Sequence, residues 1–404
     1  MAVLSAVAAE EVMVGQRWAH RIGEIEPFHV MAVLERAKAL EAQGRDVIHM
    51  EIGEPDFGTP EPIMRAGQAA LAAGCTDYTP ALGLPALREA VAGFYQQRYG
   101  IDLDPRRVVI TPGGSGALLL ISALLVNPGS KVLMADPAYP CNRHFLRLVE
   151  GQATLIPADA QSGYQLTPEL VEQHWDSASA AVLCASPANP SGSVLSRAQL
   201  TALADTTRRL GGQLIVDEIY HGLTYGCDAT SVLEVAPDAW VLNSFSKYFG
   251  MTGWRLGWLI APEAAVPELE KLAQNLYICA PHLSQRAALA AFSEESLAIC
   301  EARREAFHRR RDFLLPALRE LGFGIPQTPD GAFYLYADAT AFTTDSQQLC
   351  QHLIETEHVA ITPGLDFGHY RATEHVRFAY ANSLERLEQA VERIARGLDR
   401  RPGC

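Results

Sequence analysis

The sequence predicts an α/β protein built on a seven-stranded, mainly parallel sheet with helices on both faces, plus a smaller α+β part. Two observations carry that reading. Seven short apolar runs rich in β-branched residues recur at helix-length intervals between Val108 and Ile260. They are continuous, not alternating, as strands must be when helices cover both faces of a sheet. Past about residue 290 the pattern changes to a long charged helix and sparser strands.

The runs are Val108–Ile110, Lys131–Met134, Ala153–Ile156, Ala181–Cys184, Gln213–Val216, Ala239–Leu242 and Leu256–Ile260. Helix signals fall between them. Ser196 to Gln199 is a capping box, and Thr167-Pro168-Glu169 places proline in a first helical turn. Asn127-Pro128-Gly129 closes a helix beginning near Ser115, and a further helix runs from Leu84 to Tyr99. Residues 61–290 therefore read as one large α/β domain. A long helix from Glu301 to Glu320 and a last helix from Ser383 belong to a smaller α+β domain over 291–404, joined by the N-terminal segment 1–60.

A chain of 404 residues argues for two such domains. Its charge sum of −14 repels polyanions, which argues against nucleic acid or an anionic membrane as partner. Eight cysteines lie scattered without a C-x-x-C pair, as thiols in a reducing compartment do. No eighteen-residue apolar run occurs, and the start, Met1 to Glu11, lacks a basic segment and turns acidic, unlike a signal peptide. The expectation is a cytoplasmic protein.

Open α/β sheets bind ligands at the carboxyl ends of their strands, so chemistry is sought just after each run. After Leu242 comes Asn243-Ser244-Phe245-Ser246-Lys247, then Gly250, Gly253, Arg255 and Gly257. A buried lysine near another cation has a depressed pKa, which frees its amine for Schiff-base chemistry. Ser244, Ser246 and Arg255 offer donors and charge to one phosphate. Taken singly, a lysine in a Gly-rich turn is usually a solvated surface residue.

This segment resembles the lysine signature of the class I/II pyridoxal-phosphate aminotransferases, the fold-type I, aspartate aminotransferase-like family, and the resemblance extends from near Glu51 to Arg377. It implies a three-layer fold, pyridoxal 5'-phosphate as cofactor, and Lys247 as the residue that carries it. In Ile215-Val216-Asp217-Glu218-Ile219-Tyr220, the resemblance gives Asp217 the ring nitrogen and Tyr220 the phenolate oxygen; without it, Asp217 reads equally well as a turn cap. Asn189, in Ser186-Pro187-Ala188-Asn189-Pro190-Ser191-Gly192, matches the asparagine that donates to the same oxygen.

Thr111-Pro112-Gly113-Gly114-Ser115-Gly116 opens a helix, where bare N–H groups and the positive dipole end suit an anion. No third glycine completes a dinucleotide fingerprint. The resemblance implies that Gly114, Ser115 and Gly116 hold the cofactor phosphate, although the family often has a polar residue where Gly116 stands. Tyr139, in Asp136-Pro137-Ala138-Tyr139-Pro140, takes the place of the ring-stacking aromatic. Tyr78, followed by Gly83, matches a tyrosine that reaches the phosphate of a partner subunit, which implies a homodimer. Arg377, in an alternating strand, matches the arginine that grips the substrate α-carboxylate, and Gly53 the loop beside it.

Histidines show no H-x-x-x-H or H-E-x-x-H spacing and there is no G-x-S-x-G elbow, so neither a metal nor a serine nucleophile is expected. The expected activity is transfer of an amino group from an α-amino acid to a 2-oxo acid. A β-elimination or C–S lyase would share every cofactor contact. A non-catalytic regulatory protein on this fold would have lost Lys247 or gained a DNA-binding segment, for which the residues before Gly53 leave little room. No second arginine for a dicarboxylate is identifiable, and Trp18 to Phe28 is a candidate lid or wall for the substrate side chain.

Overall fold

A computed structural model describes residues 18–399. The Met1–Glu11 start and Cys404 lie outside the described residues. The central sheet has seven strands: β2 (Val108–Thr111), β3 (Lys131–Asp136), β4 (Gln152–Pro157), β5 (Ser179–Ala185), β6 (Gln213–Asp217), β7 (Trp240–Ser244) and β8 (Gly257–Ile260). Their spatial order is β2-β8-β7-β6-β5-β3-β4. β4, β3, β5, β6 and β7 run parallel, while β8 is antiparallel to both neighbours, β7 and β2. Each of the seven apolar runs is one of these strands.

The continuous runs follow from burial on both faces. Val109, Val132, Leu183, Ile215, Leu242 and Leu259 pack into one core, and Val108, Ile110, Leu133, Val182, Val216, Val241 and Ile260 into the other. Helices close each core, so the domain is a helix–sheet–helix sandwich of three layers. At about 25 cal/mol per Å2 of apolar surface, these two cores are the main stabilising element.

Outside the sheet, β1 (Ile48–His49) pairs in parallel with β10 (Val359–Ala360). A second, antiparallel sheet has the order β11-β12-β9, from Thr362–Pro363, His375–Ala379 and Tyr334–Asp338. A strand near the N-terminus is thereby tied to the C-terminal part. The Glu294–Glu320 helix begins seven residues before the expected Glu301, because Ser293 Oγ caps it by accepting from the Ser296 N–H and two glutamates follow in its first turn. The last helix is Leu384–Asp399. Among the described residues, no helix is long and apolar enough to cross a membrane.

Candidate active site

The strand ends converge on one cavity of about 400 Å3. β2, β3, β5, β6 and β7 all point their carboxyl ends toward it. β8 runs the other way and contributes its amino end, which is why Arg255, just ahead of it, arrives at the same place. Lining the cavity are Gly53, Gly114, Ser115, Tyr139, Asn189, Asp217, Tyr220, Ser244, Ser246, Lys247, Arg255 and Arg377. Gly116 and Tyr78 are not in the wall. A Cβ on Gly116 would stand 2.7 Å from Pro112 Cδ, so this glycine serves close packing of the turn. Tyr78 is 76% exposed.

Lys247 follows β7 and is half-buried, with Nζ donating to the Gly53 carbonyl at 2.5 Å. Burial lowers its pKa to about 8; Arg377 and Arg255 push the same way, while Glu54 and Asp217 oppose them. Roughly a tenth is therefore free amine at pH 7, against less than about a thousandth for an ordinary lysine. Asp217 ends β6, and burial pushes its carboxyl up to about 7. One of its oxygens accepts from the Ile219 N–H at 3.0 Å. The Tyr220 hydroxyl lies 2.7 Å from that of Tyr334.

One end of the cavity suits a phosphate. The Gly113–Leu125 helix starts there, with Gly113 at φ +71°. A Cβ on Gly113 would come within 2.6 Å of Arg255 Nη2, so glycine lets the guanidinium lie over the helix start. Arg255 itself takes a left-handed conformation, φ 50° and ψ 55°, costly for a non-glycine residue and maintained by the turn entering β8. Ser244 Oγ is 2.8 Å from Ser246 Oγ and accepts from the Ser246 N–H at 3.1 Å.

The other end suits a carboxylate. Arg377, from the middle of β12, is 3% exposed and lies between the rings of Tyr334 and Phe367, 4.3 and 4.8 Å from their centres. Its Nη1 donates to Asn189 Oδ1 at 2.9 Å, and Nη2 donates to the Glu51 carbonyl and, at 3.4 Å, to Thr362 Oγ1. Nε has no partner among the described residues. With its oxygen committed to Arg377, the Asn189 amide keeps its NH2 for a ligand.

Sequence reasoning did not single out Glu54, Thr252, Ile219, Tyr334, Met31 or Ile52, which also line the cavity. Tyr334 left one trace: a Cβ on Gly53 would stand 2.4 Å from its hydroxyl. Of the expected N-terminal wall, Phe28 lines the cavity and meets Tyr139 edge-on at 6.5 Å. Glu24 and Glu26, bonded to Arg147 and Arg143, fasten this segment to the Cys141–Leu148 helix. Trp18, at the other end of the segment, is 60% exposed.

A three-layer α/β fold with lysine, aspartate and arginine around one strand-end cavity defines a pyridoxal-phosphate-dependent transferase. The family model for aminotransferase class I and II matches residues 45–394, and the chain belongs to that family. It is 40% identical over 372 residues to the valine–pyruvate aminotransferase of Mycobacterium tuberculosis, covering 92% of this chain and 96% of that one. Against the aspartate/prephenate aminotransferase of Thermus thermophilus the identity is 34% over 383 residues, covering 94% and 98%. A crystal structure of an aminotransferase from Mycobacterium tuberculosis matches with TM-score 0.92 and 39% identity over 96% of this chain and 100% of that one. Aspartate aminotransferase from Thermus thermophilus, solved with maleate, matches with TM-score 0.90 and 34% identity over 95% and 100%. The protein is thus an aminotransferase that uses pyridoxal phosphate to move an amino group from an amino acid to a 2-oxo acid.

The residues present fit that cofactor. Asp217 is a buried carboxylate with a single backbone N–H on it, a state that a protonated ring nitrogen relieves. A helix start cleared of side chains by Gly113 lies under a guanidinium, as a phosphate requires.

Proposed function

We propose that the amino donor is an α-amino acid with an apolar side chain, and that the reaction is run by Lys247, Asp217, Tyr220, Asn189 and Arg377. The carrying observation is the inventory of charge in the cavity. Among the described residues, its cations are Lys247, Arg255 and Arg377. Lys247 takes the cofactor, Arg255 the phosphate, and Arg377 the α-carboxylate. No described cation is left over for a second carboxylate. The remaining wall includes Phe28, Val30, Met31 and Ile52, with the acidic Glu54 beside them. The named activity of the Mycobacterium relative, valine–pyruvate transamination, supports the same reading.

Bound pyridoxal phosphate supplies the electron sink that acidifies the substrate's α-C–H bond and carries the amino group between half-reactions. The protein's own residues do the rest. Arg377 and Asn189 fix the α-carboxylate, and so the direction of the α-C–H bond. Lys247 Nζ, in the neutral form that its lowered pKa makes accessible, takes the α-proton. Asp217 would hold its negative charge against the cofactor's ring nitrogen, and Tyr220 and Asn189 would donate to its phenolate oxygen. Ser244, Ser246, Arg255, Gly114 and Ser115 hold the phosphate, with Gly116 supporting the turn. Tyr139 covers the ring face.

The functional unit is a homodimer in which Tyr78 reaches the partner's phosphate, consistent with its exposure away from its own cavity. The compartment is the cytoplasm, as seven described cysteines carried as thiols suggest. A panel of amino donors with pyruvate or 2-oxoglutarate as acceptor tests the substrate. Each CH2 buried against the apolar wall is worth about 0.8 kcal/mol, so valine should exceed alanine in kcat/KM by roughly 15-fold. Aspartate used as well as valine would overturn the reading.

A further inference from the structure

Arg377 grips a carboxylate only if its own donors are held, and one of its anchors is a main-chain carbonyl. That carbonyl belongs to Glu51, which accepts from Arg377 Nη2 and, at 2.9 Å, from Thr362 Oγ1. Glu51 is completely buried. Its side-chain Oε1 meets His49 Nδ1 at 2.7 Å, and its Oε2 has no partner among the described residues. On its other side His49 Nε2 faces Glu41 at 3.2 Å. Two residues beyond Glu51, the Gly53 carbonyl receives Lys247 Nζ.

We infer that His49 is a positioning residue: by holding the buried Glu51 carboxylate it fixes the Glu51 carbonyl, and through it the Arg377 guanidinium that receives the substrate α-carboxylate. This inference rests on the assignment of Arg377 to that carboxylate. The physical reason is the cost of an unpaired buried charge. Without a cationic partner, a carboxylate in this position either takes up a proton, losing its bond geometry, or draws the segment carrying it toward solvent. The partner is cationic: its hydrogen bond with Glu51, reinforced by Glu41, pushes the His49 imidazole up to about 9. Segment 48–51 is also held by main-chain bonds from Ile48 N–H to His358 O, from Met50 N–H to Ala360 O, and from Ala379 N–H to Met50 O, and by Asn382 Nδ2 donating to the His49 carbonyl at 3.4 Å. These fix the strand as far as Met50. At Glu51 itself two anchors remain, Thr362 Oγ1 on the carbonyl that meets Arg377 and His49 on the side chain.

The test uses holoenzyme and 3-methylbutanoate, a carboxylate with an apolar chain and no amine, titrated by the change in the cofactor's visible absorbance. His49→Gln should weaken binding about tenfold while cofactor content stays at the wild-type level, since nothing at the phosphate end is touched. His49→Gln/Glu51→Gln removes the charge together with its partner, and should recover binding to within about threefold of wild type. That recovery separates charge pairing from mere bulk. Wild-type affinity in His49→Gln, or a double variant no better than the single, would overturn the inference. If His49→Gln alone does not fold, the double variant still decides: binding near wild type supports the inference, and binding as poor as in Arg377→Lys overturns it. Arg377→Lys binding as tightly as wild type would instead remove the assignment of Arg377, whatever His49 does.

Discussion

Asp217 is a cavity residue whose environment is strongly at odds with its charge. Burial raises its folded pKa to about 7, above the ordinary value of 3.8, so the folded cofactor-free chain binds a proton that the unfolded chain has released. Stability of the cofactor-free protein therefore falls as pH rises from about 4 to 7, by an amount on the order of a few kcal/mol. Asp217→Asn should remove that slope and raise the melting temperature of cofactor-free protein at pH 8, while lowering turnover of the loaded enzyme by about 100-fold or more. Melting curves of both proteins at pH 5 and pH 8 check the sign; a wild-type protein more stable at pH 8 would contradict it. Lys247 shows the complementary case, an amine kept partly neutral by burial with two arginines nearby. For Lys247→Ala, loss of about 100- to 10,000-fold in turnover is expected from removing the base, before its cofactor link is counted.

At the scale of elements, the phosphate end depends on how closely the Gly113–Leu125 helix approaches β8. A Cβ on Gly257 would lie 2.7 Å from Asn243 O, 2.8 Å from Gly113 C and 2.9 Å from Gly114 N, with backbone on every side. No side chain can rotate away, so Gly257→Ala must push the helix start off the strand. A cost of about 1–3 kcal/mol is expected, together with faster cofactor dissociation on dialysis. A variant that keeps both stability and cofactor would show that the close approach is not needed. Elements were also where the sequence was most legible. Two-sided burial left continuous runs, and the turn after each strand carried its own chemistry. Long-range neighbours were illegible: Arg377 donates to Asn189 and to the Glu51 carbonyl, and no local pattern announces contacts made across 188 and 326 positions. Gly116 shows the limit of motif matching, because close packing against Pro112 by itself accounts for a glycine at the matched position.

At the scale of the molecule, the acidic total of −14 hides a cavity with three cations in its wall. Charge balance describes the surface that meets solvent, whereas the pocket is set by strand ends. The proposed dimer makes the site a property of two chains, and complementation tests it. Mixing Lys247→Ala with Tyr78→Ala protomers should restore activity, because a hybrid holds one site with Lys247 and an intact tyrosine from the other subunit. If Tyr78 acts within its own chain or not at all, mixing restores nothing beyond the Tyr78→Ala level. The central claim is chemical, however: the amine at the end of β7 carries the cofactor. Borohydride reduction of the coloured holoenzyme, followed by peptide mapping, tests it most directly. The expected result is loss of the visible band and a pyridoxyl group on Lys247 alone. A colourless protein that takes up no added pyridoxal phosphate, or label on another lysine with Lys247 unmodified, would contradict the account.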